Sequence, residues 1–200
     1  MSFMLNPFVL FPSASGPIFL DTFSGAEVAI TAHTPDVDTV GGGWIAGYTA
    51  THWKKSPDYL ANNSADVRNG PVADMGVYDC VITGTFVAAS ADASTKGITF
   101  RNSSTTTNPS NECYFNGSSL RLFENGVSRA ALTGKTYDSA GARHDVVVTL
   151  NGASVSATML GDTVSYGSYT YNATVTKHGP SVGTGFGASD SCFGFRVDPL

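Results

Sequence analysis

From residue 144 to residue 160, apolar and polar side chains alternate on both sides of an Asn-Gly pair. Val146, Val148 and Leu150 precede Asn151-Gly152, and Val155, Ala157 and Met159 follow it. Side chains two apart share one face of an extended strand, so this pattern specifies a hairpin with one buried side. The same dipeptide recurs at Asn69-Gly70, Asn116-Gly117 and Asn125-Gly126. It tolerates the left-handed backbone angles of a type I′ turn, which match the twist of paired strands. A second hairpin is expected across Asn116-Gly117, joining residues 112–115 to residues 120–123. The alternating run Tyr78, Cys80, Ile82, Gly84, Phe86 reads as a strand with a buried face, and Phe193, Phe195 and Val197 as a final core strand.

No stretch keeps a 3.6-residue apolar period with caps at both ends, so many short strands and polar turns imply antiparallel sheets packed face to face. No repeat of fixed length points to a propeller or solenoid. At 200 residues the chain suits one all-β sandwich that folds without a metal or disulfide staple. Only 14% of residues are charged, the net charge is −5, and no basic run occurs, which excludes a nucleic-acid surface. No apolar run reaches the roughly 18 residues of a membrane-spanning helix. Cys80, Cys113 and Cys192 match no metal spacing and are expected as reduced thiols packed like small apolar side chains. No cofactor motif is present.

Residues 1–17 stand apart from the domain of residues 18–200. Phe3, Met4, Leu5, Phe8, Val9, Leu10 and Phe11 are punctuated by Pro7, Pro12 and Pro17, which forbids a regular helix. No Lys or Arg precedes the apolar part and Pro7 interrupts it, which argues against a cleaved secretion signal. Such a strip needs a covering surface, so it is expected to act as an anchoring arm on a partner subunit.

Phe19-Leu20-Asp21-Thr22-Phe23, then Thr31-Ala32-His33-Thr34-Pro35-Asp36, then Trp44 form an ordered set. It resembles the opening of concanavalin A-like (laminin G-like) jelly-roll domains of tailed-phage virion proteins and bacterial surface proteins. Gly97-Ile98-Thr99-Phe100, Asn116 to Leu122, Val146 to Gly152 and Phe193 to Val197 extend the likeness over roughly residues 18–198. The resemblance implies a two-sheet jelly-roll whose terminal strands pair, with Trp44 in the core. It implies no single activity, because this fold serves lectins, glycanases and structural modules.

Glycan hydrolysis needs two carboxylates flanking the scissile bond. The Glu-x-Asp-x-x-Glu strand of laminarinase-like members is missing, since the chain's glutamates are Glu27, Glu112 and Glu124. No Gly-x-Ser-x-Gly elbow occurs, and His33, His52, His144 and His178 form no recognisable arrangement, so no catalytic residue is assigned. The histidines are expected as hydrogen-bonded turn or surface residues, with His33 fixing the turn at Pro35. Asp36 and Asp38 are expected to accept turn N–H groups rather than hold calcium. Sugar binding would use exposed rings, for which Tyr166, Tyr169 and Tyr171 are the first candidates and Trp53 and Tyr59 the second.

The expectation is therefore a non-enzymatic structural protein of a tailed-phage virion, made in the host cytoplasm. It would decorate the head or form part of a fibre or tail tip. Its partners would be other virion proteins, further copies of itself and a host surface glycan. The alternative is a bacterial surface or secreted carbohydrate-binding module, with a degenerate glycanase third.

Overall fold

A computed structural model describes residues 16–46, 53–62, 70–87, 96–103, 111–137, 142–182 and 191–200. The apolar arm residues from Phe3 to Phe11 lie outside the described residues, as does His52. Strands are numbered in chain order. The larger sheet holds β1 (Phe19–Asp21), β2 (Val28–Ala29), β3 (Val37–Asp38), β4 (Trp53–Ser56) and β5 (Tyr59–Asn62). Its remaining strands are β7 (Cys80–Val87), β12 (Arg143–Asn151), β13 (Ser154–Met159), β14 (Asp162–Tyr166) and β16 (Ser191–Pro199). The smaller sheet holds β6 (Ala73–Asp74), β8 (Lys96–Thr99), β9 (Asn111–Asn116), β10 (Ser119–Glu124), β11 (Val127–Thr133) and β15 (Lys177–Val182). Among the described residues the helical content is a 3₁₀ turn at Ile30–Ala32.

All described pairings are antiparallel, and the two sheets form the expected jelly-roll sandwich. Strand order is β14-β13-β12-β7-β16 in the larger sheet, where one edge of β16 is shared by β5 and β1. In the smaller sheet the order is β11-β10-β9-β8-β15-β6. The terminal strands pair, with Phe19 opposite Val197 and Asp21 opposite Phe195. Both expected hairpins form, placing Val148 opposite Ala157 and Leu120 opposite Phe115. Ile82, Phe86, Val146, Val148 and Leu150 from one sheet pack with Ile98, Cys113, Phe115, Leu120 and Leu122 from the other. Removing each such side chain from water contributes about 1.5–3 kcal/mol before ordering costs.

Several local expectations are corrected. The strand expected from Tyr78 begins at Cys80, and Tyr78 is exposed. In β16 the register against β7 shifts between Cys192 and Gly194. That bulge buries Cys192 and leaves Phe193 half-exposed on the outer face, so Phe193 is not a core residue. Among the described Asn-Gly pairs, both residues are left-handed at Asn125 (φ 49°) and Gly126 (φ 73°). Asn151 instead ends β12, and Gly152 takes the first turn position. Asn116 closes its turn by accepting the Ser118 N–H on its side-chain oxygen, at 3.1 Å. The three cysteines are free and buried, and burial pushes each thiol up, Cys80 to about 12.

Candidate functional site

The motif that opens the domain builds a buried polar knot. Strand β1 carries Asp21 into the interior, where its carboxylate accepts the Phe23 N–H at 2.7 Å and His33 Nε2–H at 2.9 Å. Its second oxygen accepts Trp44 Nε1–H at 2.6 Å. Trp44 is buried as expected and packs edge-on to Phe19 and Phe195. His33 thus serves Asp21 and not the turn at Pro35. Asp38 takes the expected turn role by accepting the N–H groups of Gly41 and Gly43, whereas Asp36 accepts no turn N–H and instead takes the N–H and hydroxyl of Thr22, 14 positions earlier. The Thr22 hydroxyl holds the Asp36 carboxyl below the usual carboxylate range.

Beside this knot lies a cleft of about 410 Å³ between His33, Thr34 and Pro35 and the Gly41 to Gly43 loop. It is large enough for one sugar ring, but its lining contains no Phe, Tyr or Trp ring to stack on one. Its carboxylate, Asp38, is already engaged by the loop's own N–H groups. Among the described residues no group of three or more His, Cys, Asp or Glu is placed to hold a metal ion.

The five aromatic residues singled out as sugar platforms separate in space. Tyr166 and Tyr169 meet edge to face at 5.4 Å. Tyr169 is only 1% exposed and donates its hydroxyl to the Phe123 carbonyl, so it is a core residue and offers no ring face. Burial pushes its phenol well above the ordinary tyrosine range. The Arg129 guanidinium covers the Tyr166 ring at 5.7 Å while pairing with Glu124 at 2.9 Å. Burial opposes ionisation of Glu124, yet the N–H groups of Tyr171 and Thr170, together with Arg129, hold its carboxyl low. This cluster locks the loop after β14 onto β10, and only Tyr171, 38% exposed, keeps an open ring there. Trp53 is 0% exposed and likewise corrected to core. Tyr59 is half-buried on the outer side of the larger sheet, packed on Phe193, whose ring lies under Arg143 at 4.0 Å.

An aromatic platform that the sequence reading missed lies on the outer face of the smaller sheet. Two rows cross its strands there. One runs Ser181, Gly97, Tyr114, Arg121, Ala131, and the next runs Gly179, Thr99, Glu112, Phe123, Ser128. Tyr114 and Phe123 are diagonal neighbours whose half-exposed rings stack at 4.7 Å and 22°. Arg121 leans over Tyr114 at 6.0 Å and donates Nε–H to the Ser119 hydroxyl at 3.2 Å. Glu112 accepts the Ser181 hydroxyl at 3.1 Å, and the buried Thr99 hydroxyl has no protein partner. The available signal was that Tyr114 and Phe115, and Leu122 and Phe123, put bulky side chains on both faces of one hairpin. Alternation alone does not say which of the two faces is turned to solvent.

No family model and no curated protein matches the chain. Solved structures do. A mutant of the GH43 protein BlXynB from Bacillus licheniformis superposes with a TM-score of 0.58 at 15% identity, covering 92% of this chain and 39% of that one. A Bacteroides ovatus GH43B protein of a xyloglucan locus gives 0.56 at 11%, covering 96% and 42%. A Caenorhabditis elegans galectin gives 0.41 at 13%, covering 61% and 84%. The chain spans about two fifths of either GH43 protein. Likenesses at such identity concern the fold, and the fold is an antiparallel two-sheet jelly-roll sandwich.

Proposed function

We propose that this sandwich is a non-catalytic glycan-binding module that reads sugar on the outer face of its smaller sheet. The stacked pair Tyr114 and Phe123 carries the reading, because it puts half-buried aromatic surface on the outer side of the sheet, against which pyranose C–H groups can pack. Arg121 and Glu112 flank the rings with a donor and an acceptor for hydroxyl groups. Among the described residues Glu112 is the one carboxylate in these two rows, which supports binding over two-carboxylate hydrolysis. Glycan-array screening followed by titration calorimetry tests the reading. Tyr114→Ala and Phe123→Ala should each weaken binding about tenfold or more with the melting transition still cooperative. Unchanged binding in both variants would remove the site.

The resemblance to tailed-phage virion jelly-rolls, together with the apolar arm, supports a location for such a module. In this reading the arm anchors the domain to a particle and the sandwich faces the host. Mass spectrometry of purified virions tests for its presence there. Deleting residues 1–15 should leave the sandwich melting unchanged and prevent incorporation.

A further inference from the structure

Among the five arginines of the described residues, three are paired with carboxylates of the domain. Arg101 pairs with Asp79 at 3.0 Å, Arg129 with Glu124 at 2.9 Å and Arg196 with Asp198 at 2.7 Å. Arg143 has no carboxylate partner among the described residues, but its guanidinium sits directly on the Phe193 ring. Arg121 differs from all four. Its Nε–H is spent on the Ser119 hydroxyl and its guanidinium carbon sits over the Tyr114 ring, 6.0 Å from the ring centre, so the side chain is oriented. Neither terminal amino group meets a carboxylate among the described residues. The nearby acid, Glu112, lies diagonally across the platform and is engaged by Ser181. A half-buried guanidinium held at Nε, with neither terminal amino group on a carboxylate among the described residues and an aromatic pair beside it, can serve as a fork for a planar anion.

Resting on the glycan-binding reading, we infer that the ligand is an acidic sugar whose carboxylate is clamped by Arg121 while its ring packs on Tyr114 and Phe123. Glu112 at the opposite diagonal orients the sugar. The Glu112 carboxylate, which already accepts the Ser181 hydroxyl, accepts a hydroxyl of the sugar. Uronic acids and sialic acids share this chemistry.

The test titrates the full-length protein with an oligouronate, with a sialylated trisaccharide, and with the carboxyl-reduced form of each. At least one acidic sugar should bind about tenfold more tightly than its reduced form, the scale of one bidentate charged pair, and more weakly at high salt. Which of the two does so identifies the source. Arg121→Gln should abolish the difference and leave weak residual binding, whereas Arg121→Lys should keep the charge and recover only part of it. If reduced and acidic sugars bind alike and Tyr114→Ala abolishes both, the carboxylate inference falls and the platform stands. If none of the four sugars binds, the carboxylate inference falls, and if both Tyr114→Ala and Phe123→Ala leave binding unchanged, the platform falls with it.

Discussion

Asp21 and Trp44, 23 positions apart, are joined by a 2.6 Å hydrogen bond from the indole N–H to a fully buried carboxylate oxygen. The bond ties the first strand to the loop that follows β3, and the same carboxylate serves Phe23 and His33. All three partners are donors, so only an acceptor on both oxygens satisfies them.

Asp21→Asn therefore replaces one acceptor oxygen by an amino group facing a donor. The expected loss is about 2–4 kcal/mol, since a buried donor is left unmet in a closed network. Urea unfolding should show a lower midpoint with unchanged slope. A midpoint equal to wild type would mean the knot relaxes to accommodate the amide.

His178 sets a pH dependence. It is buried in β15, takes the Arg101 N–H on Nδ1 and donates Nε2–H to the Val77 carbonyl. Burial, with the Arg101 charge adding to it, lowers its pKa from 6.5 to about 4. Between those values the unfolded chain binds a proton that the folded chain refuses. Stability should therefore fall as pH drops through that window, by up to about 3 kcal/mol, and be independent of this group above it. Asp36, Asp74 and Glu124, whose carboxyls are held low, lose their contributions at lower pH still. Melting from pH 7 to 4.5 should slope in wild type and flatten in His178→Gln, although that variant is less stable throughout.

Leu160 occupies a left-handed turn position, φ 51°, ahead of Gly161 at φ 85°, and is 60% exposed. Its side chain gains little there and strains the backbone. Leu160→Asn should stabilise by about 1 kcal/mol, seen as a rise of a few degrees in melting temperature.

Tyr169→Phe removes only the hydroxyl that reaches the Phe123 carbonyl. It should cost about 1 kcal/mol in denaturant unfolding and leave glycan affinity unaltered. A drop in affinity would return the tyrosine cluster to consideration as the sugar site.

Period-two alternation and turn chemistry determined much from the sequence alone. Val146, Val148 and Leu150 could share a face only as a strand, Asn151-Gly152 could reverse it, and one side had to be buried. The hairpins, the antiparallel sandwich and the buried Trp44 follow from such local rules and from a short motif. What the pattern leaves undetermined is a choice between two apolar-looking faces, or a position where one extra residue changes sides. Tyr114 and Phe115 are equally good strand residues, and only packing of the smaller sheet on β7 and β12 turns Phe115 inward and leaves Tyr114 to stack with Phe123. The bulge at Phe193 inverts an alternation that reads unbroken in the chain. Tyr169 looked like a platform and became core because the loop after β14 folds onto β10, and Arg121 is left without a carboxylate partner among the described residues because Glu112 lies diagonally across from it. Strand geometry is local, with a period set by covalent structure, whereas the identity of the solvent-facing side depends on which sheet lies above, and that is decided by contacts far apart in sequence.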